Sequence, residues 1–142
     1  MTTDTVTRTN IGAFDDYTTT TPTIPHPESP SPSTGTRYGL HIPTRYNPTP
    51  DMLIGVKIPE SWFDTLHERL GWIADGWTVL PGRGYWRGSD RCYQEDVLLY
   101  EIDIPSRNPS EALLKLARDV RRELGQEGVY LTRIPVIAEV IA

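Results

Sequence analysis

Asp96-Val97-Leu98-Leu99-Tyr100-Glu101-Ile102-Asp103-Ile104 is the stretch that decides the fold. Its side chains alternate in character. Leu98, Tyr100, Ile102 and Ile104 fall on one face, and Val97, Leu99, Glu101 and Asp103 on the other. A period of two marks a β-strand with two different faces. Downstream, Asn108 is a candidate helix N-cap, Pro109 fits a first turn, and Glu111 stands three residues after Asn108, as in a capping box. Leu113, Leu116, Ala117, Val120 and Leu124 then make one apolar stripe, and Gly125 is a stop. Val129-Tyr130-Leu131 and Val136 to Ile141 predict a final strand, or a pair of strands, broken near Pro135. Upstream, Trp77-Thr78-Val79-Leu80 starts a strand that can run on through Gly82 to Arg87 and turn at Gly88-Ser89-Asp90. Trp62, Phe63, Leu66, Leu70 and Ile73 recur at helical spacing behind Pro59, which predicts a helix over about residues 60–73. Met52 to Ile58 is a short apolar run with β-branched residues, which predicts the first strand. The order is β-α-β-β-α-β, an α+β, ferredoxin-like arrangement with both helices on one face of an antiparallel sheet.

The chain has 142 residues, room for one domain and a tail. More than half of its 13 prolines precede residue 51. Proline has no backbone donor and a fixed φ, so the Pro22–Pro32 stretch predicts neither a helix nor an inner strand. We therefore expect a Pro/Thr-rich tail over 1–36, an extended connector over 37–50 and the ferredoxin-like domain over 51–142. In the connector, Tyr38, Leu40, Ile42 and Tyr46 alternate with polar or small residues, as in a segment lying against the domain.

The formal charge of −5 argues against a broad nucleic-acid surface, which needs a basic footprint. No apolar run approaches a membrane span. The first residues carry no secretory pattern. The expectation is a soluble, cytoplasmic protein. One cysteine, Cys92, excludes an internal disulfide and a CxxC metal site. His26, His41 and His67 are isolated, without the paired spacing zinc requires, and read as solvated or core-edge residues. No metal or cofactor is expected.

Gly82-Arg83-Gly84-Tyr85-Trp86-Arg87-Gly88 is glycine-rich, but no helix follows it, so a phosphate cradle is not expected. It reads either as a twisted hairpin or as a contact surface. Tyr85-Trp86 between Arg83 and Arg87 would suit a flat or cationic ligand. Glu95 begins the strand that follows, where a carboxylate could grip an ammonium group. Gln126-Glu127 closes the second helix, where an acidic group is mildly unfavourable. Val97 and Leu99 face away from the helices, and an uncovered apolar sheet face favours burial against another chain.

Gly84-Tyr85-Trp86-Arg87, Glu95, the Leu98–Ile104 strand and Gly125-Gln126-Glu127-Gly128-Val129-Tyr130-Leu131 stand in an order that resembles the small phage-type S-adenosylmethionine lyases, long called hydrolases. The resemblance covers about residues 52–142. It implies PII-like trimers of ferredoxin-like subunits, with sites at subunit interfaces and S-adenosylmethionine or a related adenosyl metabolite as substrate. It implies catalytic roles for Tyr85 and Glu95 and substrate binding by Trp86, Arg87, Gln126 and Glu127. Tyr85 and Trp86 both fit the aromatic position, because the spacing to the acidic residue is slightly altered. The implied reaction forms methylthioadenosine and homoserine lactone by attack of the substrate's own carboxylate. Two other readings stand beside it: a non-catalytic PII-like module that binds a small metabolite, and a structural interaction protein that uses its tail.

Overall fold

The computed structural model describes residues 32–89 and 91–142. The tail expected over 1–36 falls outside the described residues as far as residue 31, and so do His26 and Asp90. Six elements follow in order: β1 (Ser33–Pro43), α1 (Glu60–Ile73), β2 (Trp77–Arg87), β3 (Cys92–Pro105), α2 (Glu111–Glu123) and β4 (Leu131–Ala138). The strands make one four-stranded sheet in the order β2-β3-β1-β4. Each neighbouring pair is antiparallel. This is the ferredoxin-like α+β fold. No described helix is long and apolar enough to cross a membrane.

The first strand is not where the apolar run 52–58 predicted it. β1 occupies Ser33–Pro43, reaching into the expected tail and through the first half of the expected connector. The reason lies in partners, not in propensity. Tyr38, Leu40 and Ile42 are almost wholly buried on one face, while Arg37, Gly39 and His41 alternate on the other. β1 can therefore pair on both edges, with β3 and with β4. Residues 52–56 have no such pairing. Leu53 is 83% exposed and Ile54 70%. The run is tied to the rest of the chain by isolated bridges, Arg45 to Lys57 and Thr49 to Met52, and by Ile58, which is buried in the core.

The strand that decided the fold reads as expected and is longer. Tyr100, Ile102 and Ile104 are buried, and with Tyr38, Leu40 and Ile42 they form the sheet's contribution to the core. Leu66 and Leu70 of α1 and Leu113, Leu116 and Val120 of α2 cover that face. Each such side chain contributes roughly 1.5–3 kcal/mol relative to exposure. His67 of α1 reaches the Tyr100 hydroxyl with its Nε2 at 2.8 Å, which ties helix to sheet. Glu123 at the end of α2 accepts from Trp62 Nε1 at 3.1 Å and from Arg69 Nη2 at 2.9 Å, which ties helix to helix.

Two local expectations need correction. The N-cap of α2 is Ser110 rather than Asn108, and its side chain makes no cap bond. Asn108 is instead engaged in the preceding turn, where its backbone N–H donates to the Pro105 carbonyl at 2.9 Å. Pro135 does not break the last strand. β4 is an edge strand, so a residue without an N–H can point its missing donor outward. Pro81 in β2, the other edge, is tolerated for the same reason.

Candidate functional site

The pairing of β1 with β3 ends at Pro43 opposite Val97, but β2 and β3 remain paired out to Arg87 opposite Cys92. The last five residues of β2 therefore stand on a two-stranded ribbon beyond the main sheet. Register sets which way each side chain turns. Gly84 lies opposite Glu95 and Trp86 opposite Tyr93, so these four share the face away from the helices. The same face carries His41, Val97 and Leu99.

The Trp86 indole folds back along its own strand. A Cβ added at Gly84 would stand 3.0 Å from the indole Cζ2 and Nε1, so the ring lies over the glycine. From there Trp86 Nε1 donates to Glu95 Oε1 at 2.6 Å. Two more rings close around the indole. His41 meets it edge-on at 6.1 Å between centroids, and Tyr130, just before β4, stands 5.4 Å from it. His41 and Tyr130 are themselves T-shaped at 5.0 Å. The His41 backbone N–H donates to the Tyr130 carbonyl at 3.1 Å, which holds both residues at one level of the sheet. A carboxylate and three rings thus converge from all four strands or their ends. Burial pushes the His41 imidazole below its ordinary value, so the neutral ring is favoured.

Of the residues singled out in the sequence, Trp86 and Glu95 are brought together. Tyr85 is not with them. It lies opposite Gln94 on the other face of the ribbon and is 68% exposed. Arg87, opposite Cys92, shares that face and is exposed. Gln126 donates through Nε2 to Asn47 Oδ1 at 3.0 Å and to the Leu124 carbonyl at 3.3 Å. Glu127 is exposed, and its backbone carbonyl accepts from Arg121 Nε at 3.1 Å. Neither side chain bonds to the Trp86–Glu95 pair among the described residues. Cys92 is exposed at the ribbon end.

Sequence reasoning missed His41 and Tyr130. In the sequence His41 is isolated because no histidine or cysteine stands at metal-ligand spacing from it, and it falls in the stretch expected to be a connector. Placing β1 there brings it opposite Leu99, on the face shared with Trp86. Tyr130 stands in the sequence within a strand signal and within the stretch that carries the resemblance, and neither gives it a site role. Its signal was its place directly before a strand that pairs with β1.

Two hollows of the single chain lie away from this cluster. One of about 200 Å³ runs between α2 and β4 and is lined by Leu114, Ala117, Arg118, Arg121, Val129 and Leu131. A smaller one lies at the other end of β1, beside Gly35 and Ile104. Among the described residues, the Trp86 cluster is a surface on the sheet rather than a closed pocket.

Comparison with models of protein families and with curated proteins gives no match. Comparison with solved structures does. In fold, the chain is similar to a phage SAM lyase. That structure, a phage SAM lyase in complex with S-methyl-5'-thioadenosine, superposes with a TM-score of 0.52. The match covers 76% of this chain and 93% of that one, at 14% sequence identity. At such identity the likeness speaks for the fold.

Proposed function

We propose that this chain is an S-adenosylmethionine lyase that works as an oligomer, with three copies the expected number and the open sheet faces inward. The observation that carries this reading is the Trp86–Glu95 bond of 2.6 Å within a ring of aromatic side chains on the uncovered face. The similarity in fold to a phage SAM lyase solved with methylthioadenosine supports the choice of ligand.

S-adenosylmethionine carries a sulfonium, an ammonium and a carboxylate. Each has a role in the proposal. Glu95 holds the ammonium through the carboxylate oxygen that the indole leaves uncommitted. The Trp86 and Tyr130 rings form the wall for the sulfonium, which is drawn to their π-faces. The substrate's carboxylate oxygen then attacks Cγ. The C–O bond of the lactone forms as the C–S bond breaks, and the electron pair stays on sulfur. Methylthioadenosine leaves neutral, the lactone keeps its ammonium, and no proton or water is consumed. The chain's contribution is to hold the substrate folded for in-line attack, worth on the order of 7–11 kcal/mol in favourable intramolecular cases. Opposite charges cancel along this path, so a drier site favours the transition state.

Trp86 takes the aromatic role in this account, because Tyr85 faces away from Glu95. Tyr85, Arg87, Gln126 and Glu127 would reach the ligand only from a neighbouring copy. Enclosure argues the same way. Ligand pockets usually run to about 300–1,000 Å³, and the cluster of one chain is open. The test is incubation of the full chain with S-adenosylmethionine and chromatography of the products. Methylthioadenosine and homoserine lactone are expected, with Glu95→Gln lowering turnover at least a hundredfold. Binding without products would instead favour a metabolite-binding module. Neither binding nor products would leave a structural role.

A further inference from the structure

His41 has an unusual position for a histidine with no assigned task. It sits on the inner strand β1, two residues before its end, on the open face, and its Nδ1 is buried with no hydrogen-bond partner among the described residues. Buried polar atoms in folded proteins almost always have one, and an exception asks for an explanation. The Trp86 indole N–H cannot supply it, being committed to Glu95. The Tyr130 carbonyl accepts from the His41 backbone. A buried N–H without an acceptor is rarer than a buried acceptor without a donor, which favours a bare Nδ1 with the proton on Nε2. Desolvation keeps that ring uncharged. A neutral acceptor, next to the indole that orients Glu95, is then left without a donor among the described residues of the free chain.

We propose that His41 is a ligand-binding residue of the Trp86–Glu95 site, and that its Nδ1 accepts a hydrogen bond from an O–H or N–H group of the ligand. This rests on the adenosyl-ligand reading above and names a contact that reading lacked. Two ligand groups have the right chemistry: a ribose hydroxyl and the α-ammonium. Tyr130, half exposed and outside regular structure, is the ring that gives way to admit the donor.

The experiment uses the full chain labelled with 15N and long-range 1H–15N spectra of the imidazoles, with the His41 signals assigned by their loss in His41→Phe. Methylthioadenosine supplies the ribose without the amino-acid arm, and S-adenosylhomocysteine supplies both. Movement of Nδ1 away from its bare-nitrogen position with both ligands assigns the donor to the ribose. Movement with S-adenosylhomocysteine alone assigns it to the ammonium. His41→Phe keeps a ring against Trp86 and Tyr130 and is expected to weaken binding by about three- to tenfold. His41→Asn, whose Oδ1 stands near the Nδ1 position, is expected to restore most of it. Saturable binding to the wild-type chain with the His41 nitrogens unmoved overturns this inference and leaves the site reading intact. Absence of binding by either ligand overturns both.

Discussion

Gly84 is the position where a single methyl group would be felt most in the site. The contact it would make is with a side chain, so the indole must shift by a few tenths of an ångström and the backbone need not. That shift falls on the 2.6 Å bond to Glu95. A hydrogen bond to a charged group is worth about 1.5–3 kcal/mol, so Gly84→Ala is expected to keep the fold and weaken adenosyl-ligand binding about tenfold or more. Calorimetric titration checks it, with circular dichroism for the fold. Histidines give a second prediction at this scale. Burial lowers both His41 and His67 from an ordinary 6.5, with Asp64 partly offsetting the effect at His67. The unfolded chain therefore takes up protons first as pH falls. Stability from these groups is fully present above about pH 7 and is lost as pH drops through 6.5 towards the folded-state values. The Tyr100 phenol that His67 touches is pushed up to about 12 by burial and stays protonated throughout. Urea midpoints are expected to fall between about pH 7.5 and about pH 5.5, and to fall less in His67→Gln. Glu95 and Trp86 were legible as candidates from composition and order alone. Which of Tyr85 and Trp86 faces Glu95 was not, because parity on a ribbon depends on register, and register appears only with the partner strand.

The C-terminus of α2 is closed by a left-handed glycine. Gly125 has a φ of 62°, its N–H donates to the Arg122 carbonyl, and the Gln126 N–H donates to the Arg121 carbonyl. This is the Schellman pattern. A Cβ at Gly125 would meet nothing within 4 Å among the described residues, so the cost of Gly125→Ala is the backbone's, about 1–2 kcal/mol in thermal or urea unfolding. Glu123→Ala removes the acceptor shared by Trp62 and Arg69. These groups are partly exposed, so the loss is expected to be about 1 kcal/mol. Helices were the most legible elements. Their apolar stripes gave the span of α1 almost to the residue and the end of α2 at Gly125. The start of α2 was displaced because Asn108 serves a turn. Strands were harder. The β-branched run at 52–58 has the look of a strand and is a loop, exposed at Met52 to Ile54 and buried at Ile58, while Ser33–Pro43, with glycines and a flanking proline, is central. Strand identity comes from two-sided pairing, which a local window does not contain.

At the scale of the whole molecule, one face of the sheet has no cover within the described residues. Val97 is 4% exposed, but elsewhere on the same face Leu80 is 44%, Tyr130 52% and Ile134 54% exposed. The proposed assembly places these side chains against other copies and turns the Trp86–Glu95 surface into an enclosed site. Leu80→Asp adds a charge to the face without touching the core, and is expected to dissociate the assembly and abolish ligand binding together. The alternation in β3 made the bare face visible in the sequence. The number of copies rests on the resemblance and not on the face itself. Light scattering during size-exclusion chromatography of the full chain, at micromolar concentration, tests the account most directly. The predicted result is a mass several times that of the 16.1 kDa chain, with three copies expected. A species at the mass of one chain across that range would contradict it.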